Sequence, residues 1–491
     1  MLLQRDHART LVTFYQCVAT VQHASPLKGL SRPLQTSDFG PPLAGIFLLH
    51  APNYRNTVGN AVKGKAISVL YSLWHTSPSL RRSFLQSTAS SSIIFKVLFC
   101  ALLATSVGQS VMLTTLPSLG REASLSEFHI ATIMSSSALI FALGTSVWSK
   151  VAKRAGVKRI LMVGLAGYSL GTFAFASAWM AGFSGIIGGT NLFLALLFSR
   201  SMQSTIMSAT PPSAVGYAVA ISSPKARVSA ISKVTSASSV GQIIGPAYAG
   251  LLVGFGLLAP LYSIVLLTLL ALVLVYFKLP VLTPTSAQHS NANETVNEAS
   301  SSKIPYVFVV ACVCVFCAMA MMQQSIGFFF IDFYSLSPVE GARLVGFAMM
   351  VSAVTSLSVQ FFVVQKARVS TEAMIQVSLP LLVIAYILLF LQQSISMMYV
   401  AMAVMGLGMG MAYPSLAASA TTYCTPAQQA KITGLITATT AMGYVVGPPV
   451  AALLYQYSIA LPFLASAITI ALITCIVFMT LRAATHQNSA R

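Results

Sequence analysis

The sequence predicts an all-α membrane protein in which twelve transmembrane helices form two six-helix halves. Three observations carry that expectation. First, 56% of the 491 residues are hydrophobic and only 8% are charged, with a mean hydropathy of +0.79. A soluble domain carries about 25% charge, so most of this chain's exterior must face lipid. Second, after residue 90 the chain passes through apolar runs of about 20 residues, the length that crosses about 30 Å of hydrocarbon. Third, a long stretch returns. Val228 to Tyr262, VSAISKVTSASSVGQIIGPAYAGLLVGFGLLAPLY, is echoed by AKITGLITATTAMGYVVGPPVAALLYQYSIALPF. Pro212, Pro224, Pro246 and Pro260 each recur 202 residues later, as Pro414, Pro426, Pro448 and Pro462. Gly241, Gly245 and Ser213 recur as Gly443, Gly447 and Ser415. A membrane chain with a long internal repeat has the signature of a two-halved carrier.

Residues 1–90 stand outside the repeat. They hold nine Lys and Arg against Asp6 and Asp38, with many Ser and His and Pro-Pro at 41–42. No run there reaches about 18 apolar residues, so neither a span nor an ordinary signal peptide is expected. A mis-assigned start, a disordered tail, a basic cytosolic arm on anionic headgroups and an organellar transit peptide all stay open. None of them brings transport chemistry. The expected organisation continues with a six-helix half at 91–280, a cytoplasmic linker at 281–304, a second half at 305–482 and a tail at 483–491.

In the first half the spans are expected at 93–117, 128–149, 160–181, 190–218, 229–254 and 258–279. In the second they are expected at 305–330, 342–365, 372–393, 395–421, 431–456 and 459–481. The linker TPTSAQHSNANETVNEASSSK is polar and poor in aromatics, and has nothing with which to build a core. Net charge is +19. In a soluble chain that excess would suggest nucleic acid; here the basic residues sit in short links, where they set topology, so no nucleic-acid partner is expected. Lys150, Lys153, Arg154, Lys158 and Arg159 follow the second span without one acid. Lys225 and Arg227 follow the fourth, Lys366 and Arg368 the eighth, and Arg482 the twelfth. In the alternate links Glu122, Glu127 and Glu340 offset Arg121 and Arg343. Basic links face the cytoplasm, which puts both termini and the linker inside an inner or plasma membrane. The sequon at Asn293 then goes unglycosylated.

The repeated motif, Gly241-x3-Gly245-Pro246-x3-Gly250, lies in the fifth span and recurs in the eleventh as Gly443-x3-Gly447-Pro448-Pro449. Glycines let a neighbouring helix approach closely, and Pro246 removes a backbone donor and bends the helix. The cysteines cluster only at 312–317, CVCVFC, without His or carboxylate beside them. That is a poor ligand set, so no metal is expected. No Gly-x-x-x-x-Gly-Lys-Ser/Thr loop is present either, which argues against direct ATP drive.

These motifs resemble those of the drug:proton antiporter branch of the major facilitator superfamily. The fifth-span Gly-Pro motif looks like that branch's antiporter signature, and Arg200-Ser-Met-Gln203 resembles its Arg-x-x-Gln motif. The link SKVAKRAGVK resembles the superfamily loop motif: Arg154, Gly156 and Lys158 match, but Lys153 stands where the family has Asp and Ser149 where it has Gly. The family's loop Asp helps latch the outward-open state by charge pairing, a part Lys153 cannot play. The likeness covers about 93–485.

An arginine near mid-membrane costs about 2.5–3.5 kcal/mol on insertion scales, so Arg200 is expected to face the bundle interior or an aqueous cavity. There it could attract an anion, set a nearby protonation equilibrium, or simply bond helix carbonyls. The carboxylates after residue 93 are Glu122, Glu127, Glu294, Glu298, Asp332, Glu340 and Glu372, none of them mid-span in the first half. Asp332, at the end of the seventh span, is the best candidate for a proton carrier, against an ordinary interfacial acid. Glu127 and His129 read as interfacial. Gln109, Gln203, Gln323, Gln324 and Tyr413 are candidate cavity groups, each equally suited to bridging helices. The methionines of GLGMGMAY could give an adaptable wall or plain core.

By resemblance the chain is expected to be a proton-driven exporter of a small organic compound, and not an enzyme. No cofactor is expected beyond the proton gradient, and no partner beyond substrate, protons and the bilayer around a monomer. One buried cation and few acids favour anionic or zwitterionic cargo, such as a siderophore-like carboxylate. An importer or facilitator of the same fold, and a non-transporting sensor or scaffold, remain as alternatives.

Overall fold

The computed structural model describes residues 78–223, 226–281, 304–364, 369–424 and 428–489. Expectations for residues 1–77, and for the linker with Asn293, lie outside the described residues. By its contacts the chain divides at Met1–Ser92 and Ile93–Arg491. The first described helix begins at Pro78 and runs to Glu122, earlier than the expected limit of the extension. A proline at a helix start gives up no bonded donor and presets its own φ.

Among the described residues, eleven helices are long and apolar enough to cross a membrane. Six of the twelve crossings come before the linker. The first three are Ser92–Glu122, Glu127–Ala155 and Val157–Phe183. The fourth is made by two helices, Gly189–Met207 and Thr210–Ala220. The fifth and sixth are Ser229–Phe255 and Ala259–Lys278. The next three are Ile304–Tyr334, Pro338–Val364 and Thr371–Leu391. The last three are Ile395–Thr422, Lys431–Tyr457 and Leu461–Ala483. Each expected span falls on its helix within a few residues, and the break in the fourth is the main difference. Pro211 and Pro212 lack the amides that would bond to the carbonyls of Met207 and Ser208, so the helix stops and restarts there.

The two halves repeat in detail. The links after the first and seventh spans carry the same turn. Ser124 (φ 54°) and Ser335 (φ 51°) are left-handed, each is followed by Leu, and Ser126 and Ser337 then cap the next helix. In the first half the fifth span's glycines press on the first span. A Cβ on Gly241 would stand 2.6 Å from Ser106 Cβ, and one on Gly245 2.8 Å from Ser110 Oγ. In the second half a Cβ on Gly443 would meet Phe316 and Cys317, and one on Gly447 would stand 2.7 Å from the Cys317 carbonyl oxygen.

The prolines of this motif free carbonyls that other spans then take up. Pro246 cannot donate to Gln242, and the Ser110 hydroxyl donates to the Gln242 carbonyl instead, at 3.1 Å. Pro449, which the first copy lacks, frees the Val445 carbonyl. Ser135 of the second span donates to it across the two halves, at 2.5 Å. A proline inside an apolar bundle is tolerated where a neighbour satisfies the freed acceptor in this way.

The halves meet through the second span against the eleventh and the fifth against the eighth. These contacts gather toward one end of the bundle, here the Arg121 end; the opposite one is the Lys153 end. A Cβ on Gly346 would stand 2.7 Å from the Pro246 carbonyl and 2.9 Å from the Gly250 Cα. Gly327 packs on Pro117 in the same way. At the Lys153 end Gly156 alone (φ 93°) links the second and third spans. Lys158 donates to the Tyr276 and Leu279 carbonyls at 2.9 and 2.5 Å, tying the third span to the end of the sixth. Lys153 and Arg154 are exposed.

Candidate functional site

Arg200 lies in the middle of the fourth span and is 7% exposed. It donates to Gln203, one turn on, and its Nη2 donates to Gln109 Oε1 of the first span at 2.7 Å. Gln203 Nε2 in turn donates to Thr172 Oγ1 of the third span at 2.5 Å. The Thr172 hydroxyl donates its own hydrogen bond to the Tyr168 carbonyl at 2.7 Å. Three spans are thereby tied around one guanidinium. Among the described residues, ion pairs form only at Arg121, so no carboxylate neutralises Arg200. Amides and a hydroxyl satisfy a cation's hydrogen bonds without cancelling its charge. The centre of this half is therefore a preorganised positive site.

Gln109 sits on the partly exposed stripe of the first span, with Phe95, Phe99, Leu103 and Ser106 at helical spacing. In the second half Tyr444 donates to Gln323 Oε1 at 2.5 Å. Tyr413 packs edge-on against Phe316, ring centroids 5.0 Å apart. Around these groups the second half offers aromatic faces and an amide, with no ion pair among the described residues.

Asp332 and Gln324 stand elsewhere. Arg121 pairs with Glu127 of its own half and with Asp332 of the other, Nε to Oδ1 at 3.1 Å. Tyr455 donates to Asp332 Oδ2 at 2.9 Å, and the guanidinium lies 4.8 Å from the Phe328 ring centroid. Gln324 Nε2 donates to the Glu127 carbonyl at 3.3 Å. This cluster clasps the halves together at the Arg121 end and shares no contact with Arg200. Ser126 and His129 form the capping box of the second span. With both side chains about a quarter exposed, the Arg121–Asp332 pair contributes about 1 kcal/mol. Asp332→Asn is thus expected to raise the population open at this end about fivefold. Spin labels at positions 123 and 336 check this, and an unchanged distance distribution would contradict it.

The sequence reading singled out Arg200, Gln203 and Gln109, and the structure joins them. It did not single out Thr172, a threonine in an apolar run. Nor did it find Arg121, Tyr455 and Gly346, whose roles depend on a contact between halves. The two links do share Ser-Leu-Ser, at 124–126 and 335–337, but three residues do not rise above chance.

A bundle of two six-helix halves around a polar, charged centre is the architecture of a secondary transporter. The family model of the Major Facilitator Superfamily matches residues 98–391 and 367–491, and the chain belongs to that family of membrane transporters. Multidrug resistance protein 2 of Bacillus subtilis (strain 168) is 22% identical over 379 residues, covering 76% of this chain and 91% of that protein. A bacterial homolog of the human lysosomal transporter Spinster, inward-facing and unoccupied, superposes with a TM-score of 0.63 at 15% identity, covering 80% of this chain and 97% of that one. The nucleoside transporter NupG gives 0.61 at 15%, covering 80% and 99%. The human organic anion transporter MFSD10 (TETRAN) gives 0.56 at 16%, covering 79% and 99%.

Proposed function

We propose that this transporter exports a small organic compound from the cytoplasm in exchange for protons, by alternating access about the Arg200 site. The observation that carries the reading is the buried guanidinium with no carboxylate partner among the described residues. An anionic or zwitterionic cargo, of the kind a siderophore-like carboxylate represents, supplies the missing charge when bound. Export is supported by the fifth-span Gly-Pro motif and by the likeness to a multidrug resistance protein. Basic links face the cytoplasm, so the Arg121 end is the outer one. The contacts between the halves at that end then describe a state closed outside and facing inward. The chain works as a monomer in the inner or plasma membrane with both termini inside. Asp332, near the outer surface, is the carboxylate best placed to take a proton from that side.

Counterflow tests carriage itself. Proteoliposomes loaded with an unlabelled organic anion are expected to accumulate the labelled compound transiently, with no imposed gradient. A panel of anionic, zwitterionic and cationic compounds that gives no counterflow would overturn the reading and leave a sensor or scaffold.

A further inference from the structure

We infer that the Lys153 end holds a second anion-recognising element, a vestibule in which Lys233 and Lys431 steer an organic anion toward Arg200. The inference rests on the reading above, in which cargo enters at this end, and deepens it by naming the cargo's charge and its route.

The fifth span carries the first part of the argument. From Ser229 to Gln242 its buried positions, Ala230, Val234, Ala237 and Gly241, form one stripe against the first span. Every exposed position in that stretch is polar, Lys233 and Gln242 among them. A polar face on a membrane helix turns to water or protein, not to lipid. Its direction follows from helix geometry. Pro246 and Gly250 touch Gly346 of the other half at the Arg121 end. Ser239 lies seven residues before Pro246 and eleven before Gly250, and Ser232 lies eighteen before Gly250. Those spacings return to one face of a helix. The exposed polar face therefore continues the face that meets the other half, and looks across the gap where the halves part.

The eleventh span mirrors it. Val445 accepts from Ser135 of the other half, and Gly434 and Ala438 lie eleven and seven residues before it. Both are exposed, as are Lys431, Thr433 and Thr437. The two lysines also have matching seats. Lys233 Nζ lies 5.9 Å from the Phe95 ring centroid of the first span, and Lys431 Nζ lies 5.8 Å from that of Tyr306 in the seventh. Phe95 heads the stripe that leads through Leu103 and Ser106 to Gln109, the partner of Arg200. An aromatic face holds the ammonium in place without neutralising it.

Among the described residues no acid offsets these cations. Neither lysine nor Arg200 has an ion-pair partner among the described residues. The one described carboxylate at the Lys153 end of a span is Glu372, exposed and accepting from the Tyr423 hydroxyl at 2.8 Å. Glu294 and Glu298 belong to the linker outside the described residues. A cleft lined by one sign of charge between low-dielectric walls concentrates the opposite ion and speeds its arrival.

The field can be read without knowing the substrate. The purified full-length protein carries Ser239→Cys on the polar face. It is reacted with the anionic sulfonatoethyl and the cationic trimethylammonioethyl methanethiosulfonate. Labelling is followed by mass spectrometry on the peptide holding position 239, so the native cysteines stay. Dividing one rate by the other, each normalised to free cysteine, cancels any change in the reporter's own thiolate fraction. At low salt the anion is expected to lead by about tenfold, the lower end of the range for steered association. Lys233→Gln with Lys431→Gln should cut that lead at least about threefold, and Lys233→Arg with Lys431→Arg should keep it. Both lysines are exposed, so these replacements leave the packing alone. A ratio near one in the parent, or one that the paired Gln replacement leaves unchanged, would overturn the inference. The carrier reading fails separately: an intact ratio with no counterflow would sink transport and leave the vestibule standing.

Discussion

Arg200→Ala is expected to lower counterflow of an organic anion about 100-fold while the protein still folds and inserts. A hydrogen bond to a charged group is worth about 1.5–3 kcal/mol, and about 1.4 kcal/mol is a factor of ten. Losing the guanidinium removes the charge the anion binds. It also removes the bonds that hold Gln109 and Gln203, on separate spans, in position. Arg200→Lys separates the two effects. A lysine keeps the charge but lacks the planar fork that engages both amides together. It is expected to restore part of the affinity and little of the turnover. Thermal unfolding of both variants, in the absence of substrate, guards against a folding defect. Equal transport by Arg200→Ala and the parent protein would remove the site from the mechanism.

Gly346→Val is expected to have the second large effect, through the seam between the halves. The Cβ would meet the Pro246 carbonyl at 2.7 Å and the Gly250 Cα at 2.9 Å. These are backbone atoms and cannot rotate aside. Overpacking of this kind costs about 1–3 kcal/mol, charged here to the state closed at the Arg121 end. The distance between labels at positions 123 and 336 should lengthen, and counterflow should fall about tenfold or more. Gly254→Ala is the control, because a Cβ there has nothing within 4 Å. If the seam variant leaves the label distances unchanged, the fifth and eighth spans do not form the closing surface.

How far these features were legible in the sequence depends on how local each one is. Span positions were legible because length and hydropathy act over about 20 residues at a time. The repeat was legible in its later part because proline and glycine recur in fixed register. Pro211-Pro212 marked the break in the fourth span, but hydropathy alone runs straight through it. The Arg200–Gln203 pair is one helical turn, whereas the bond to Gln109 spans 91 residues and no pattern encodes it. Asp332 was visible as an acid in a region poor in acids. Its pairing with Arg121 was not visible, because a link carrying both signs of charge looks neutral. The freed carbonyl of Val445 is a similar case. Pro449 announces it, but only the packing of the halves shows that Ser135 fills it.

The most direct measurement follows protons in liposomes that enclose a pH-sensitive dye, with the purified protein in the bilayer and a proton gradient imposed. A panel of organic anions, zwitterions and cations is added in turn. The account predicts proton movement evoked by an anionic or zwitterionic compound, abolished in Arg200→Ala and diminished in Asp332→Asn. Counterflow of such a compound with no accompanying proton movement would contradict proton-coupled export and make this transporter a facilitator, or one driven by another ion.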